Sequence, residues 1–320
     1  MNILKKLLVA VAIHAIAFSA LAAETKIRIW VGWVPGGPTD IQARILQKHI
    51  QLANPNTTVV VEYHPGASGN TGLLKFTKHK EHDNFVNFFI DAPGMLISRF
   101  ITKTNKVDPE QDVKIVSLIG IEQMLIVTSK QSNINSIQDL RNSNKAVINY
   151  GSSGIGSLTH LTTAYLESVV KKDYNHVPYK GSAPVFIDLV NGNLDLFSVF
   201  YSLGSVQVAD QRVTAIAITG KRRNPALPDV PTLDEQGIKN YPMSAWTAIF
   251  VNNNDNVQQQ QAAIDIVNRT LSNSAVQEEY AKRGVVVDTE HKDNIEQWWK
   301  QEIRKYKNLS KLPQFKDLAQ

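Results

Sequence analysis

The chain has 320 residues, 43% of them hydrophobic, with a formal net charge of +5 and no cysteine. That length and apolar fraction can bury two ordinary cores, while the missing cysteine excludes a disulfide framework, a thiol nucleophile and a lipidated cysteine. Basic residues are scattered, Lys221-Arg222-Arg223 being the one run, and no stripe of lysines interleaved with aromatics suggests a nucleic-acid groove.

Residues 1–23 read as a secretory signal. Lys5 and Lys6 precede the apolar run LLVAVAIHAIAFSALA, and Ala20-Leu21-Ala22 has the small-x-small form of a cleavage site. A membrane anchor is the competing reading, but the run falls short of the ~20 residues that span a bilayer and is broken by His14 and Ser19. Removing the leader takes away two lysines and no acid, leaving 32 basic against 29 acidic residues, so the mature protein is mildly basic. It is expected to be a soluble monomer outside the cytoplasm.

Beyond the leader, short apolar, β-branched runs alternate with helical spacing. KIRIWVGWV, TTVVVEY, FVNFFI, KIVSLIG, MLIVTS, KAVINY, DLFSVF, VTAIAITG and TAIFV read as strands. The alternation predicts α/β architecture with largely parallel sheets. Helix ends are legible too: Thr39 with Gln42 forms a T-x-x-Q capping box and Asn54-Pro55 stops that helix, Ser182 precedes the next clear one, and Asp293 with Glu296 starts the last. In that last helix Ile295, Trp298, Trp299, Ile303 and Tyr306 share a face, which predicts core packing.

Three segments repeat one design of strand, Gly-rich loop and helix: VPGGPTD from Val34, HPGASGN from His64 and YGSSGIGS from Tyr150. Such loops lie at the carboxyl ends of parallel strands, where the first-turn amides and the helix dipole favour an anion. The bland alternative is that each glycine only permits a turn. Phosphate motifs do not fit: there is no G-x-x-x-x-G-K-[ST], and GSSGIG carries its glycines as G-x-x-G-x-G, the reverse of a dinucleotide fingerprint. No cofactor is expected. A G-x-S-x-G nucleophile elbow is also missing. His79 and His82 share a helical face without a third ligand in sight, so no metal is expected, and His160 is either a packed core histidine or a group that orients its loop.

VPGGPTD, VEYHPGASGNTG, INYGSSGIGSLTH, HVPYKGSAPVFIDLVNGNLDL and AITGKRRNPALPDVPTLDEQG, taken in order, resemble the signatures of Bug-type solute receptors, the binding components of tripartite tricarboxylate transporters. The resemblance covers essentially the whole mature chain. It implies a two-lobed periplasmic binding protein of the type II kind, two Rossmann-like α/β domains joined by a two-strand hinge and closing on a small carboxylate. Lobe one would hold 24–123 and 246–320, lobe two 124–245. It also implies that Pro35, Gly36, Gly37, Thr39 and Asp40 with Ala67, Ser68, Gly69 and Asn70 grip a carboxylate. Ser152, Ser153, Gly156, Ser157, Tyr179 and Lys180 would answer from the opposite lobe. Two positions depart from the family pattern: the chain keeps Asp195 but has Val199 at the usual second acid, and it reads Asp91-Ala92-Pro93 after its third strand. Both departures are expected to touch the cleft, with Asp91 facing a donor on the ligand. The expected partners are a small organic carboxylate and the transporter's membrane subunits. The alternative function is a secreted hydrolase using Ser68 or Ser153 with His64 or His160.

Overall fold

The structure is a computed structural model that describes residues 25–79, 84–101, 107–288 and 290–316. The expected leader and His82 lie outside the described residues. Two sheets carry the chain. The first has six strands: β1 (Thr25–Val31), β2 (Thr57–Tyr63), β3 (Phe85–Asp91), β4 (Val113–Glu122), β10 (Ala245–Asn252) and β11 (Val286–Val287), in the order β11-β4-β10-β3-β1-β2. The second has five: β5 (Met124–Thr128), β6 (Ile148–Ser152), β7 (Tyr174–Pro178), β8 (Leu196–Phe200) and β9 (Thr214–Ile218), in the order β7-β6-β8-β5-β9. This is the expected two-lobed α/β fold.

The sheets are mixed rather than largely parallel. β1 pairs in parallel with β2 and β3, and β6 with β7 and β8, but β10 runs antiparallel to β3 and β4, and β5 antiparallel to β8 and β9. The reversals belong to the strands at the crossings: β4 passes through Gln123 directly into β5, and β10 brings the chain back after β9. β7 and β11 escape the strand pattern because β7 is an edge strand ending in Pro178 with no buried side chain, and β11 is two residues long.

The helices that follow the strands are α1 (Pro38–Ala53), α2 (Asn70–Lys78), α3 (Gly94–Ile101), α4 (Ile137–Asn142), α5 (Leu158–Val170), α6 (Ser182–Val190), α7 (Tyr201–Ala209), α8 (Val257–Leu271), α9 (Ser274–Ala281), α10 (Ile295–Leu309) and α11 (Pro313–Lys316). Three caps sit one or two residues from their predicted places. Gly37, not Thr39, precedes α1, because Pro38 opens the helix where its missing N–H costs nothing. Gly181 at φ +102° precedes α6, so Ser182 is its first residue, and Asn294 precedes α10 after a 3₁₀ turn that takes up Asp293.

Each sheet has apolar clusters on both faces, as sheets covered by helices require. On the first, Trp298, Trp299, Ile303 and Tyr306 of α10 are buried as predicted, with Trp298 and Trp299 edge-on to Trp246 at 5.5 and 5.8 Å. α11 then packs across onto the second lobe: Phe315 is buried, its ring 6.5 Å from Tyr165 of α5. Val199 is a fully buried member of a second-lobe cluster with Leu125 and Phe197. It is a core residue, not the cleft residue that the family pattern suggested.

Candidate functional site

The loops that follow β1, β2 and β3 face those that follow β6 and β7, and two chambers lie between them. The inner one, about 30 Å³, is lined by Trp33, Val34, Gly37, Pro38, Thr39, Ala92, Gly94, Ser153, Leu158, Gly181, Ser182 and Phe200. The outer one, about 540 Å³, is lined from the first lobe by Gly32 to Val34 and Pro65 to Ser68, and from the second by Ser153 to Ile155 and Pro178 to Gly181. Its volume suits a small organic ligand. The inner one has room for about two waters.

Electrostatically the inner chamber is a junction of helix starts. Gly37 to Thr39 open α1, Gly94 opens α3, Leu158 opens α5, Gly181 and Ser182 open α6, and Phe200 directly precedes α7. First-turn amides have no acceptor within their own helix, and each dipole places about half a positive charge at its start. Among the described residues, no acidic side chain lines either chamber, and Lys180 is the one charged side chain that does. Such an arrangement of helix starts favours an anion.

The loop after β2 carries local strain. Ala67 and Ser68 both adopt left-handed backbone angles, at φ 47° and 52°, a conformation that non-glycine residues take at a cost of order 1–3 kcal/mol each. The loop lies against its neighbour: a Cβ on Gly32 would sit 2.5 Å from the Gly69 carbonyl oxygen. Across the cleft, Ser68 Oγ donates to the Ile155 carbonyl at 2.5 Å, a direct bond between lobes.

Several predicted ligand residues turn out to hold their own loops. Asp40 accepts from the Gly36 amide at 2.7 Å and from the Tyr63 hydroxyl at 2.5 Å, and pairs with Arg44 at 2.9 Å, so it shapes the α1 loop from behind. Asn70 donates to Ala67 O and to Ser98 Oγ. Ser157 caps α5 through the His160 amide and also bonds Gly154 O and Thr159. The Gly156 amide donates to His160 Nδ1, and Ser152 Oγ bonds His176 Nε2 at 2.7 Å. Pro35 and Gly36 are exposed at the tip of the first loop, and Gly69 packs beneath Trp33. Asp195 does not reach the cleft: it sits beside the start of β6, paired with Lys145 at 2.6 Å and accepting from the Asn149 amide. Asp91 lines neither chamber; it lies behind Trp33, whose indole N–H it accepts at 2.8 Å. Gly37, Thr39, Ala67, Ser68, Ser153, Tyr179 and Lys180 do line the chambers. Tyr179 is also tied back to Asp188 at 2.5 Å, and burial together with this bond raises its hydroxyl pKa.

Both roles considered for His160 meet in one residue. It is buried, its ring stacks on His176 at 3.8 Å, and it holds the Gly156 amide. Burial pushes His160 down to about 3 and His176 to about 4, so both are neutral. Trp33, Val34, Gly181, Ser182 and Phe200 are lining residues that reading the sequence missed, whereas Ala92 belongs to the departing segment expected to touch the cleft. Ser182 carried a signal as a helix start, and Trp33 as an aromatic at the edge of a Gly-Pro loop.

The family model described as the tripartite tricarboxylate transporter family receptor matches residues 43–312. The chain belongs to this receptor family. A relative, BugT of Bordetella pertussis, is 26% identical over 265 residues, covering 81% of this chain and 80% of BugT. A protein encoded in the TAR-I ttuE-ttuC' intergenic region of Agrobacterium vitis is 27% identical over 266 residues, covering 82% of this chain and 76% of the relative. Among solved structures, the periplasmic binding protein BugD aligns with a TM-score of 0.81 at 25% identity, covering 90% of this chain and 97% of BugD. MatC of Rhodopseudomonas palustris, solved with malate, shares the fold with a TM-score of 0.80 at 21% identity, covering 90% of this chain and 99% of MatC.

In this receptor the two serines of the hydrolase alternative are engaged elsewhere. Ser68 donates to Ile155 O, Ser153 Oγ shares a hydrogen bond with Thr159 Oγ1 at 2.9 Å, and His64 is held by Glu62 at 2.6 Å. The interlobe bond yields a direct expectation. Replacing Ser68 by Ala removes one hydrogen bond of the closed form, so ligand affinity should fall roughly five- to tenfold, the equivalent of about 1 kcal/mol. Titration calorimetry measures it. An unchanged affinity would mean that the bond adds nothing to closure.

Proposed function

We propose that the protein is a periplasmic, non-enzymatic receptor that closes its lobes on a small organic carboxylate and delivers it to membrane subunits of a tripartite tricarboxylate-type transporter. The observation that carries this reading is the meeting of helix starts from both lobes in a chamber that no acidic side chain lines among the described residues. We place lobe one at residues 24–123 and 246–320 and lobe two at 124–245, with the hinge at the two crossings. The chain acts as a monomer after losing residues 1–23. Ligand contacts from both lobes favour the closed form, and a membrane partner recognises that form. Within the proposed site, the amides of the α1 and α5 starts hold the carboxylate, Ser68 fastens one lobe to the other through the Ile155 carbonyl, and Lys180 answers charge at the mouth.

Proteins of this fold solved with adipate and with malate set the probes. A panel of mono-, di- and tricarboxylates, plain and hydroxyl- or amine-bearing, should contain a compound that raises the melting temperature. A hundredfold excess over the dissociation constant adds about 2.7 kcal/mol, a shift of several degrees at roughly 2 °C per kcal/mol for a protein of this size. Chromatography afterwards should recover the compound intact. Stabilisation by uncharged solutes alone would remove the anion site, and consumption of the ligand would restore the enzyme reading.

A further inference from the structure

The two lobes repeat one strand arrangement. β2-β1-β3-β10-β4 and β7-β6-β8-β5-β9 have the same order and the same strand senses, so β1 and β6 are equivalent strands. The helix starts that follow them also match residue by residue, Gly36-Gly37-Pro38-Thr39-Asp40 with Gly156-Ser157-Leu158-Thr159-His160. Gly36 and Gly156 both take left-handed angles, at φ +85° and +76°. Gly37 and Ser157 are both extended and directly precede α1 and α5. Asp40 and His160 are then each the third helical residue, both are buried, and each reaches back to the same amide. Gly36 N donates to Asp40 Oδ2 at 2.7 Å, and Gly156 N donates to His160 Nδ1 at 3.1 Å. A glycine is free to take many backbone states, and an acceptor fixed on its amide favours this one. Between the two bonds stands the inner chamber, lined by Gly37, Pro38 and Thr39 from one helix start and by Leu158 from the other.

The two acceptors differ in charge. Asp40 is paired with Arg44 at 2.9 Å and accepts the Tyr63 hydroxyl at 2.5 Å. His160 instead faces the rings of His176 of β7 at 3.8 Å and Tyr150 of β6 at 6.2 Å, and burial keeps both histidines neutral. Accepting at Nδ1 puts the ring proton of His160 on Nε2, a buried atom with no partner among the described residues. An idle buried donor is costly, and what the ring secures is the Gly156 amide. We propose that Asp40 and His160 are a matched pair of positioning residues, each fixing the left-handed glycine that turns its lobe's helix start into the inner chamber, with the second lobe using an uncharged acceptor so that the α5 amides are left to the ligand. The inference rests on the carboxylate reading above. Neither residue lines a chamber, so each acts through its glycine. In the first lobe Arg44 offsets the charge of Asp40. An aspartate in place of His160 would sit in the first turn of α5 and draw on the same helix dipole as a bound anion.

Titration calorimetry of the full chain with malate, adipate and citrate provides the test. Each variant is read as its affinity relative to the wild type at the same pH, so that titration of the probe cancels. His160→Leu removes the acceptor and should weaken all three probes by about tenfold at both pH 8 and pH 5, the scale of one lost hydrogen bond. His160→Asn, a neutral acceptor of the size that Asp40 provides, should recover most of that affinity at both pH values. His160→Asp keeps the acceptor and adds a charge, so it should bind about tenfold or more weakly at pH 8, citrate suffering most, as like charges a few ångström apart require. At pH 5 it should approach His160→Asn, because burial raises the pKa of a carboxyl and lets it take up a proton. His160 and His176 of the wild type are neutral across this range. Asp40→Leu should weaken the probes as His160→Leu does. Wild-type affinity in His160→Leu would overturn the positioning role. Equal affinities of His160→Asp and His160→Asn at pH 8 would overturn the part given to charge, and a loss in Asp40→Leu with none in His160→Leu would overturn the equivalence of the lobes. If His160→Leu does not fold, the Asn and Asp variants decide by the recovery at pH 5. Should the wild type bind none of the three probes, the carboxylate selected by the panel above takes their place. A wild type stabilised by no carboxylate would sink the anion reading and this inference with it, whereas a wild type that binds while His160→Leu binds equally well sinks this inference alone.

Discussion

Replacing Gly181 by Ala should lower carboxylate affinity roughly ten- to hundredfold while leaving the protein folded. Gly181 belongs to the second lobe and Val34 to the first, and a Cβ on Gly181 would lie 2.5 Å from Val34 Cγ2. Val34 is β-branched and stiff, so it cannot simply turn away. Overpacking of this kind costs about 1–3 kcal/mol. The clash exists only while the lobes are together, so the cost falls on the closed form. A ligand that needs that form then binds more weakly by the factor by which its population drops. Gly181 also has φ +102°, a backbone state that strains alanine with the lobes open or closed. Gly237 separates the two effects: its φ is +85° and a Cβ there would meet nothing within 4 Å. Gly237→Ala should therefore lose stability without losing affinity. Equal affinity losses in the two variants would show that Gly181 does not report on closure. Small-angle scattering provides a second reading, because ligand should compact the wild type and Gly237→Ala but not Gly181→Ala.

The contrast between Gly181 and Asp40 shows what the sequence could and could not convey. Apolar runs that stop at VPGGPTD, HPGASGN and YGSSGIGS mark loops at strand ends, because glycine and proline punctuate the chain whatever surrounds it. All three loops do face one cleft. What each polar side chain does within them is a different matter, since a short polar group bonds its own backbone as readily as a ligand. Asp40, Asn70, Ser152 and Ser157 are all spent in that way. Asp195 fits the family pattern yet lies at the far end of its sheet, where a strand position says nothing about which end of the strand carries function. Phe200 and Gly181 line the inner chamber only because helices from separate strands converge there. Asp91 stood out as a departure, but its bond to Trp33 spans 58 residues and has no local signature.

A second buried carboxyl sits at the hinge, and its removal should have the largest effect on stability. Glu122 ends β4, one residue before the chain crosses to β5. Its Oε1 accepts from Gln42 Nε2 of α1 at 3.1 Å, and its Oε2 accepts from the Ser202 amide at the start of α7 at 2.8 Å. One carboxyl thus joins a helix of each lobe, and both helices begin at the inner chamber. Glu122→Ala strands two buried donors, which should cost about 2–5 kcal/mol at any pH. Glu122→Gln keeps an acceptor for Ser202, and Gln42 Oε1, which has no partner among the described residues, can turn to accept the new amide. Burial pushes Glu122 up to about 7 against the pull of the Ser202 N–H, from an ordinary value of 4.5. The folded protein therefore holds this proton more tightly than the unfolded chain, so the group's stabilising contribution is full below pH 4.5 and is lost as pH rises through about 7. Asp91 contributes with the same sign, whereas the depressed His160 and His176 contribute stability above pH 6.5 that is lost as pH falls toward 4 and 3. Comparing the wild type with Glu122→Gln cancels these shared contributions. In urea unfolding, the advantage of Glu122→Gln over the wild type should grow by about 2 kcal/mol between pH 5 and pH 8, since each tenfold difference in proton affinity between the folded and unfolded chain is worth about 1.4 kcal/mol. Parallel pH profiles for the two proteins would mean that Glu122 titrates like an ordinary surface acid and that no buried carboxyl joins the lobes.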